Sequence, residues 1–183
     1  MKFKNFIGHF NTVNKHRWLV FKFAIKAGIP FRGLIHDLSK YSFEEFFRGV
    51  KYYQGTYSPI TAEKRDIGYS TAWLHHKGRN KHHWEYWYDE FADIKAPVVP
   101  YKYAVEMACD SLSASKVYNG KNWTPKSQIE YWNRTASKRK LNSKIEAFLT
   151  EVFETCAEDG IDKTFKSKKL RKMYDKYVNN EEE

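Results

Sequence analysis

His36 and Asp37 are neighbours, an imidazole and a carboxylate that can share one cation, and the chain supplies matching ligands on both sides of them. His16 stands 20 residues earlier, and Asp110 lies downstream in the helical stretch Ala-Val-Glu-Met-Ala-Cys-Asp-Ser-Leu-Ser-Ala. A neutral imidazole nitrogen beside a hard anionic oxygen suits divalent Mn, Fe, Co, Ni or Zn better than Ca, and no cysteine pair offers a thiolate zinc site. The expected first metal position is therefore His16, His36, Asp37 and Asp110.

Four of the seven histidines fall within the nine residues His75 to His83. Adjacent helical residues diverge by about 100 degrees, so one of His75 or His76 and one of His82 or His83 is expected to complete a second position. The alternative for this tract is an exposed, adventitious metal binder. Asp37, with two oxygens, can bridge two ions. Lys40, one turn beyond His36, is placed to neutralise a phosphate, with Arg17, Arg79 and Lys116 as further substrate-binding candidates. His9 competes with His16, but the two are seven residues apart, about 10 Å along a helix, and cannot both reach one ion. Folding back at Gly28 to Pro30 favours His16.

The elements that must position these groups read as helical nearly throughout. Val13, Val20, Phe23 and Ala27 share one face of a helix from Phe6 to Ala27, and His9 and His16 lie on that stripe. Gly28-Ile29-Pro30 stops it, and Pro30 opens a helix expected to carry His36 and Asp37. Ser42 and Glu45 form a capping-box signal for a helix to about Gln54. Ser58-Pro59 opens one that delivers His75 and His76 before Gly78. Residues 79–93 read as a structured connection with one short helix. Pro100 leads into a helix from Tyr101 to Tyr118, on which Asp110 is the one carboxylate of the Tyr103, Met107, Ala114, Val117 stripe. Helices from Thr124 to about Lys140, from Asn142 or Ser143 to about Ala157, and from Asp162 to Val178 complete the chain. Strand-like alternation is nowhere sustained, so the expected class is all-α, one domain over residues 1–178, with 179–183 a disordered acidic tail.

Composition agrees with a folded chain of 183 residues: 42% hydrophobic, 17% aromatic, five prolines and nine glycines. A net charge of +10 biases it toward phosphates, nucleotides or nucleic acid. Much of the excess crowds Lys163 to Lys176, where a solvated helix face is the plainer meaning. Two separated cysteines and no secretion signal fit a reducing, cytoplasmic location, and charges interrupt every apolar run short of a membrane span.

The ordered set His16, His36-Asp37, Asp110 resembles the HD-domain superfamily of metal-dependent phosphohydrolases. His16-Arg-Trp-Leu-Val20, Leu34-Ile-His-Asp-Leu-Ser-Lys40 and Ala108-Cys-Asp-Ser-Leu-Ser-Ala114 carry the likeness, over about half the chain. The resemblance implies an HD-like helical bundle in which His16, His36, Asp37 and Asp110 bind the first metal, with intervening histidines for a second. Lys77 and Arg79-Asn80 depart from the His-His-Glu and glycine-rich signature of the cyclic-dinucleotide branch. The glutamate that some nucleotidases keep beside the His-Asp pair is missing from Leu38 to Lys40, with Glu44 and Glu45 close by.

The expected activity is hydrolysis of a nucleotide or similar small phosphoester by metal-activated water. Two alternatives use the same residues differently. An HD-type di-iron oxygenase would fill the ligands with iron. A nucleic-acid-binding or interaction protein would keep a structural metal and stack bases on Trp84, Trp87, Trp123 and Trp132 among the lysines and arginines. Oligomeric state is not legible.

Overall fold

A computed structural model describes residues 2–180; the expected tail is described only at Asn179 and Asn180, its remainder lying outside the described residues. The class is all-α, with no strand among the described residues.

The first helix, α1 (Phe3–Lys26), buries His9, Val13, His16, Val20 and Phe23, a stripe spaced four, three, four, three. Gly28 ends it at φ 78, with the Ile29 amide returning to the Ala24 carbonyl at 2.9 Å. Pro30 then starts α2 (Pro30–Ile35), which runs back along α1 because Gly33 has no side chain: a Cβ there would lie 2.5 Å from Ala24 Cβ. This hairpin brings His36 level with His16.

Contrary to expectation, α2 stops before the His-Asp pair. His36 caps it at ψ 130, and Asp37 adopts φ 54, the one positive φ at a non-glycine residue among those described. A 3-10 turn follows at Leu38–Tyr41, then α3 (Phe43–Lys51). Ser42 Oγ accepts from the Glu45 amide, but the Glu45 carboxylate turns away from the cap.

The single helix expected from Pro59 to Gly78 is two helices, α4 (Pro59–Ile67) and α5 (Thr71–Arg79). Gly68 breaks it at φ 84, and Ser70 restarts it by accepting from the Trp73 amide while donating to buried Glu63. Glu63 also takes Arg48 and Thr71, so one carboxylate ties α3, α4 and α5 together.

Downstream come α6 (Tyr101–Asn119), α7 (Ser127–Arg134), α8 (Ser143–Asp159), a short α9 (Ile161–Thr164) and α10 (Ser167–Val178). The helix expected to Lys140 ends at Arg134, and the last expected helix is split at Phe165 and Lys166. The main core joins α1, α6, α8 and α10 through Val20, Val105, Leu112, Phe148, Phe153 and Leu170. Phe46, Val50, Ala62 and Ala72 are buried outside it, under α3, α4 and α5. The predicted ligands come from both regions. No described helix is long and apolar enough to cross a membrane.

His9 settles against Phe46 and Tyr53, in a space that Gly49 leaves open: a Cβ at 49 would stand 2.2 Å from His9 Nε2. Burial, with a smaller push from the Lys40 ammonium, brings this imidazole down to about 4. The unfolded chain protonates it near 6.5, so its contribution is intact above that pH and is lost as pH falls toward 4, by about 3 kcal/mol in total. Urea unfolding at pH 7 and pH 4 should show His9→Gln gaining that much on the parent protein as pH drops. A constant difference between the two would contradict the neutral, buried assignment.

Candidate metal centre

The turn at Asp37 does what a helix cannot. Adjacent side chains that would diverge on a helix both face inward, with His36 Nε2 and Asp37 Oδ2 3.3 Å apart. Arg17 fastens this turn. Its Nε donates to the His36 carbonyl at 2.8 Å and its Nη2 to the Leu34 carbonyl at 3.0 Å, with Nη1 on Tyr41 Oη. Arg17 is thus committed to the backbone that presents the ligands and is withdrawn as a substrate contact. Replacing it by Met should lower metal affinity about tenfold, read by calorimetric titration. Unchanged affinity would show that the turn holds without it.

His16 Nε2 lies 3.0 Å from Asp110 Oδ1, 3.3 Å from His36 Nε2 and 3.5 Å from Asp37 Oδ2. These four residues, predicted from spacing, form one group whose candidate donor atoms all lie within 4.8 Å of one another. The other Asp37 oxygen, Oδ1, is 3.3 Å from His76 Nε2 and 3.2 Å from His82 Nε2, and His83 joins them in a second group. The two groups share only Asp37.

Glu45 decides between the histidines of the first pair. Its Oε1 binds His75 Nδ1 at 2.6 Å and its Oε2 binds His76 Nδ1 at 2.7 Å. That leaves His75 outside the group, next to Glu44, while His76 is aimed at Asp37. In the second pair both rings turn inward, because residues 80–83 are not helical: His82 packs against His36 with centroids 4.3 Å apart and ring planes tilted by 42°, and the His83 ring centroid lies 4.8 Å from that of His76.

Glu106 was not anticipated. It is fully buried, with Oε1 3.1 Å from His36 Nδ1 and 3.3 Å from His82 Nδ1, and with Oε2 paired to Arg32 at 2.7 Å. One carboxylate therefore backs an imidazole from each group. The sequence signal is its position four residues before Asp110, on the same helix face.

Burial alone would raise the Asp37 carboxyl, but His36, Lys40 and His76 outweigh it and hold it well below the usual carboxylate range. Glu106, likewise opposed by burial, is brought down to about 2 by His36, His82 and Arg32. Four carboxylates, Asp37, Glu45, Glu106 and Asp110, thus face two permanent cations, Arg32 and Lys40, and against the opposing effect of burial the same carboxylates raise the His36 and His82 imidazoles above their ordinary value, so protons on these rings complete the balance of charge. A divalent cation bound here would displace those protons and take over the same pairing with the carboxylates. Asp37 Oδ1, His76 Nε2, His82 Nε2 and His83 Nε2 are buried without a hydrogen-bond partner, the condition of donor atoms that suit a metal. The residues fit one.

Lys40 Nζ stands 3.3 Å from Asp37 Oδ2, at the edge of the centre. Arg79 does not join it; it is exposed and bonds the His75 carbonyl. Lys116 is also elsewhere, 4.0 Å over the Trp123 ring. Three of the four aromatics expected to stack on bases are engaged in packing: Trp132 is buried with Nε1 on Thr150, and Trp84 and Trp87 lie against the core, while Trp123 is half-buried beneath Lys116.

Residues 5–155 match DUF5662, a family of unknown function. The chain belongs to DUF5662. The matched span holds both histidine and carboxylate groups with Glu45 and Glu106, and leaves α9 and α10 beyond it. Searches of curated proteins and of solved structures gave no match for this DUF5662 chain.

Proposed function

We propose that this DUF5662 protein is a metal-dependent phosphohydrolase of the HD-domain kind, acting on a nucleotide or similar small phosphoester. What supports the reading is Asp37: one buried carboxylate turns each oxygen toward a different set of imidazoles. His16, His36, Asp37 and Asp110 would hold one divalent transition metal ion, and Asp37, His76, His82 and His83 a second. Such ions, when bound, acidify water and polarise a phosphoryl oxygen.

The protein's own residues do the rest. Asp37 fixes the relation of the two positions. Glu45 and Glu106 accept from imidazole Nδ1 and so leave Nε2 free to coordinate. Lys40, tethered to Asp37 Oδ2, offers its ammonium to the phosphate and to the charge that develops as the ester bond breaks. Asp110 and Lys40, each partly exposed, mark the side from which a substrate enters.

A screen of mono-, di-, tri- and cyclic nucleotides and sugar phosphates with Mn, Fe, Co, Ni or Zn tests the reading. Phosphate release that vanishes in Asp37→Asn supports it; no release from any ester under any metal overturns it. Lys40→Met should keep its metal and lose about 100-fold or more in kcat. Full turnover in that variant would remove Lys40 from the mechanism. The bridging carboxylate among histidines equally suits a di-iron oxygenase. Product formed only in air, from the iron-loaded protein, would favour that alternative.

A further inference from the structure

A cavity of about 170 Å³ lies between α1 and α6, lined by Thr12, Lys15, Tyr53, Tyr57, Val117 and Tyr118 among others. Its place is set by helical periodicity. Thr12 precedes His16 by one turn of α1, and Val117 follows Asp110 by two turns of α6, so both continue the faces that meet at the His16–Asp110 contact. Lys15 sits beside His16 in sequence, exposed at the rim. The cavity therefore lies along the α1–α6 seam that runs from the His16–Asp110 contact.

The lining has two characters. Tyr53, Tyr57 and Tyr118 offer flat ring faces, and their hydroxyls, with that of Thr12, offer hydrogen bonds; Thr12 and Tyr53 already approach to 3.4 Å. One lysine ammonium, that of Lys15, stands at its rim, while Lys40 stands at the edge of the metal centre on Asp37. The volume is below the roughly 300–1,000 Å³ of pockets that enclose drug-sized ligands. A purine nucleoside or a triphosphate chain would not be enclosed.

We propose that this cavity is the substrate subsite, and that it receives the hydroxylated single ring of a phosphomonoester whose phosphate passes Lys15 toward the metal centre that Lys40 edges. The assignment rests on the phosphohydrolase reading and narrows it. The chemistry is that of a five- or six-membered polyol ring bearing one phosphate. A free sugar phosphate supplies it, and so does the ribose phosphate end of a nucleoside monophosphate whose base stays outside.

Calorimetric binding to the Mn-loaded protein tests this, with inorganic phosphate, ribose 5-phosphate, a nucleoside monophosphate and a nucleoside triphosphate as probes. Ribose 5-phosphate should bind about tenfold or more tightly than inorganic phosphate. Equal affinity of the nucleoside monophosphate and ribose 5-phosphate places the base outside; a further gain with the nucleotide identifies it as the truer ligand of the same subsite. Val117→Trp, which fills the cavity, should erase the advantage of both and leave inorganic phosphate and Mn binding unchanged. Lys15→Met, at an exposed position that folding tolerates, should weaken every phosphate probe about tenfold.

Organic esters that gain nothing over inorganic phosphate, and that ignore Val117→Trp, would overturn the subsite while leaving the phosphohydrolase reading intact. A triphosphate bound most tightly of all would also overturn it. Failure of every phosphate probe to bind the Mn-loaded protein would instead sink the reading on which it rests.

Discussion

Replacing Asp37 by Asn should abolish metal uptake at both positions, because the two groups share this residue and no other. Asn suits the test: it keeps the side-chain shape and is among the residues that accept the left-handed backbone found at 37, so the helical fold should survive. What changes is the charge, and with it the oxygens facing His16 and His36 on one side and His76 and His82 on the other. Elemental analysis after dialysis should find no bound metal, with affinity down by about 100-fold or more. Phosphate release should fall below detection.

The comparison variants make the result specific. Asp110→Asn touches only the His16 and His36 position, and His83→Gln only the other, so each should keep the ion of the unaffected site. An Asp37→Asn protein that still carried two ions would refute the bridge. One ion lost in Asp37→Asn and one in each comparison variant would show that the carboxylate serves a single position.

Glu106→Gln should produce the second large effect, through imidazoles and not through contact with metal or substrate. Its Oε1 is hydrogen-bonded to His36 Nδ1, and an Nδ1–H given to it leaves that ring's Nε2 as the coordinating lone pair; the same oxygen stands 3.3 Å from His82 Nδ1, where its charge favours the same tautomer. A glutamine keeps the volume but weakens the acceptor, and metal affinity should fall about 10- to 100-fold at both positions together. Arg32 loses its buried partner in the same step, at a cost of about 3 kcal/mol in folding stability. The double variant Arg32→Gln with Glu106→Gln separates the two consequences. Chemical unfolding should recover much of the stability, while metal titration should stay weak. Recovery of both would reduce Glu106 to a structural role.

The elements divide by how local their causes are. His16 and Asp110 were legible because periodicity places each on the inward stripe of its helix, and the adjacency of His36 and Asp37, with the resemblance to the HD-domain pattern, joined all four in one set. The pairing of α1 with α2 was legible in Gly28 and Pro30. The His-Asp pair was misplaced on a helix because adjacent helical residues diverge, and the left-handed turn that reunites them is held by Arg17, a contact 19 residues away in sequence. His75 and His76 could not be separated from sequence, since a distant carboxylate, Glu45, decides between them. Glu45 carried a capping signal, and only the serine half of that cap forms. Glu106 went unread because a single glutamate in a helix is ordinarily solvated; only burial from α1, α2 and the His82 turn gives it a purpose. The function itself rests on side chains brought together across long sequence separations, which local patterns do not report.

Crystals of the protein grown with Mn and measured at the manganese absorption edge test the bridge at Asp37 most directly. Two anomalous peaks are expected, one among His16, His36 and Asp110 and one among His76, His82 and His83, with an Asp37 oxygen facing each. A peak at surface histidines such as His75 with none beside Asp37, or a fully loaded protein with one peak that ignores its carboxylate, would contradict the account.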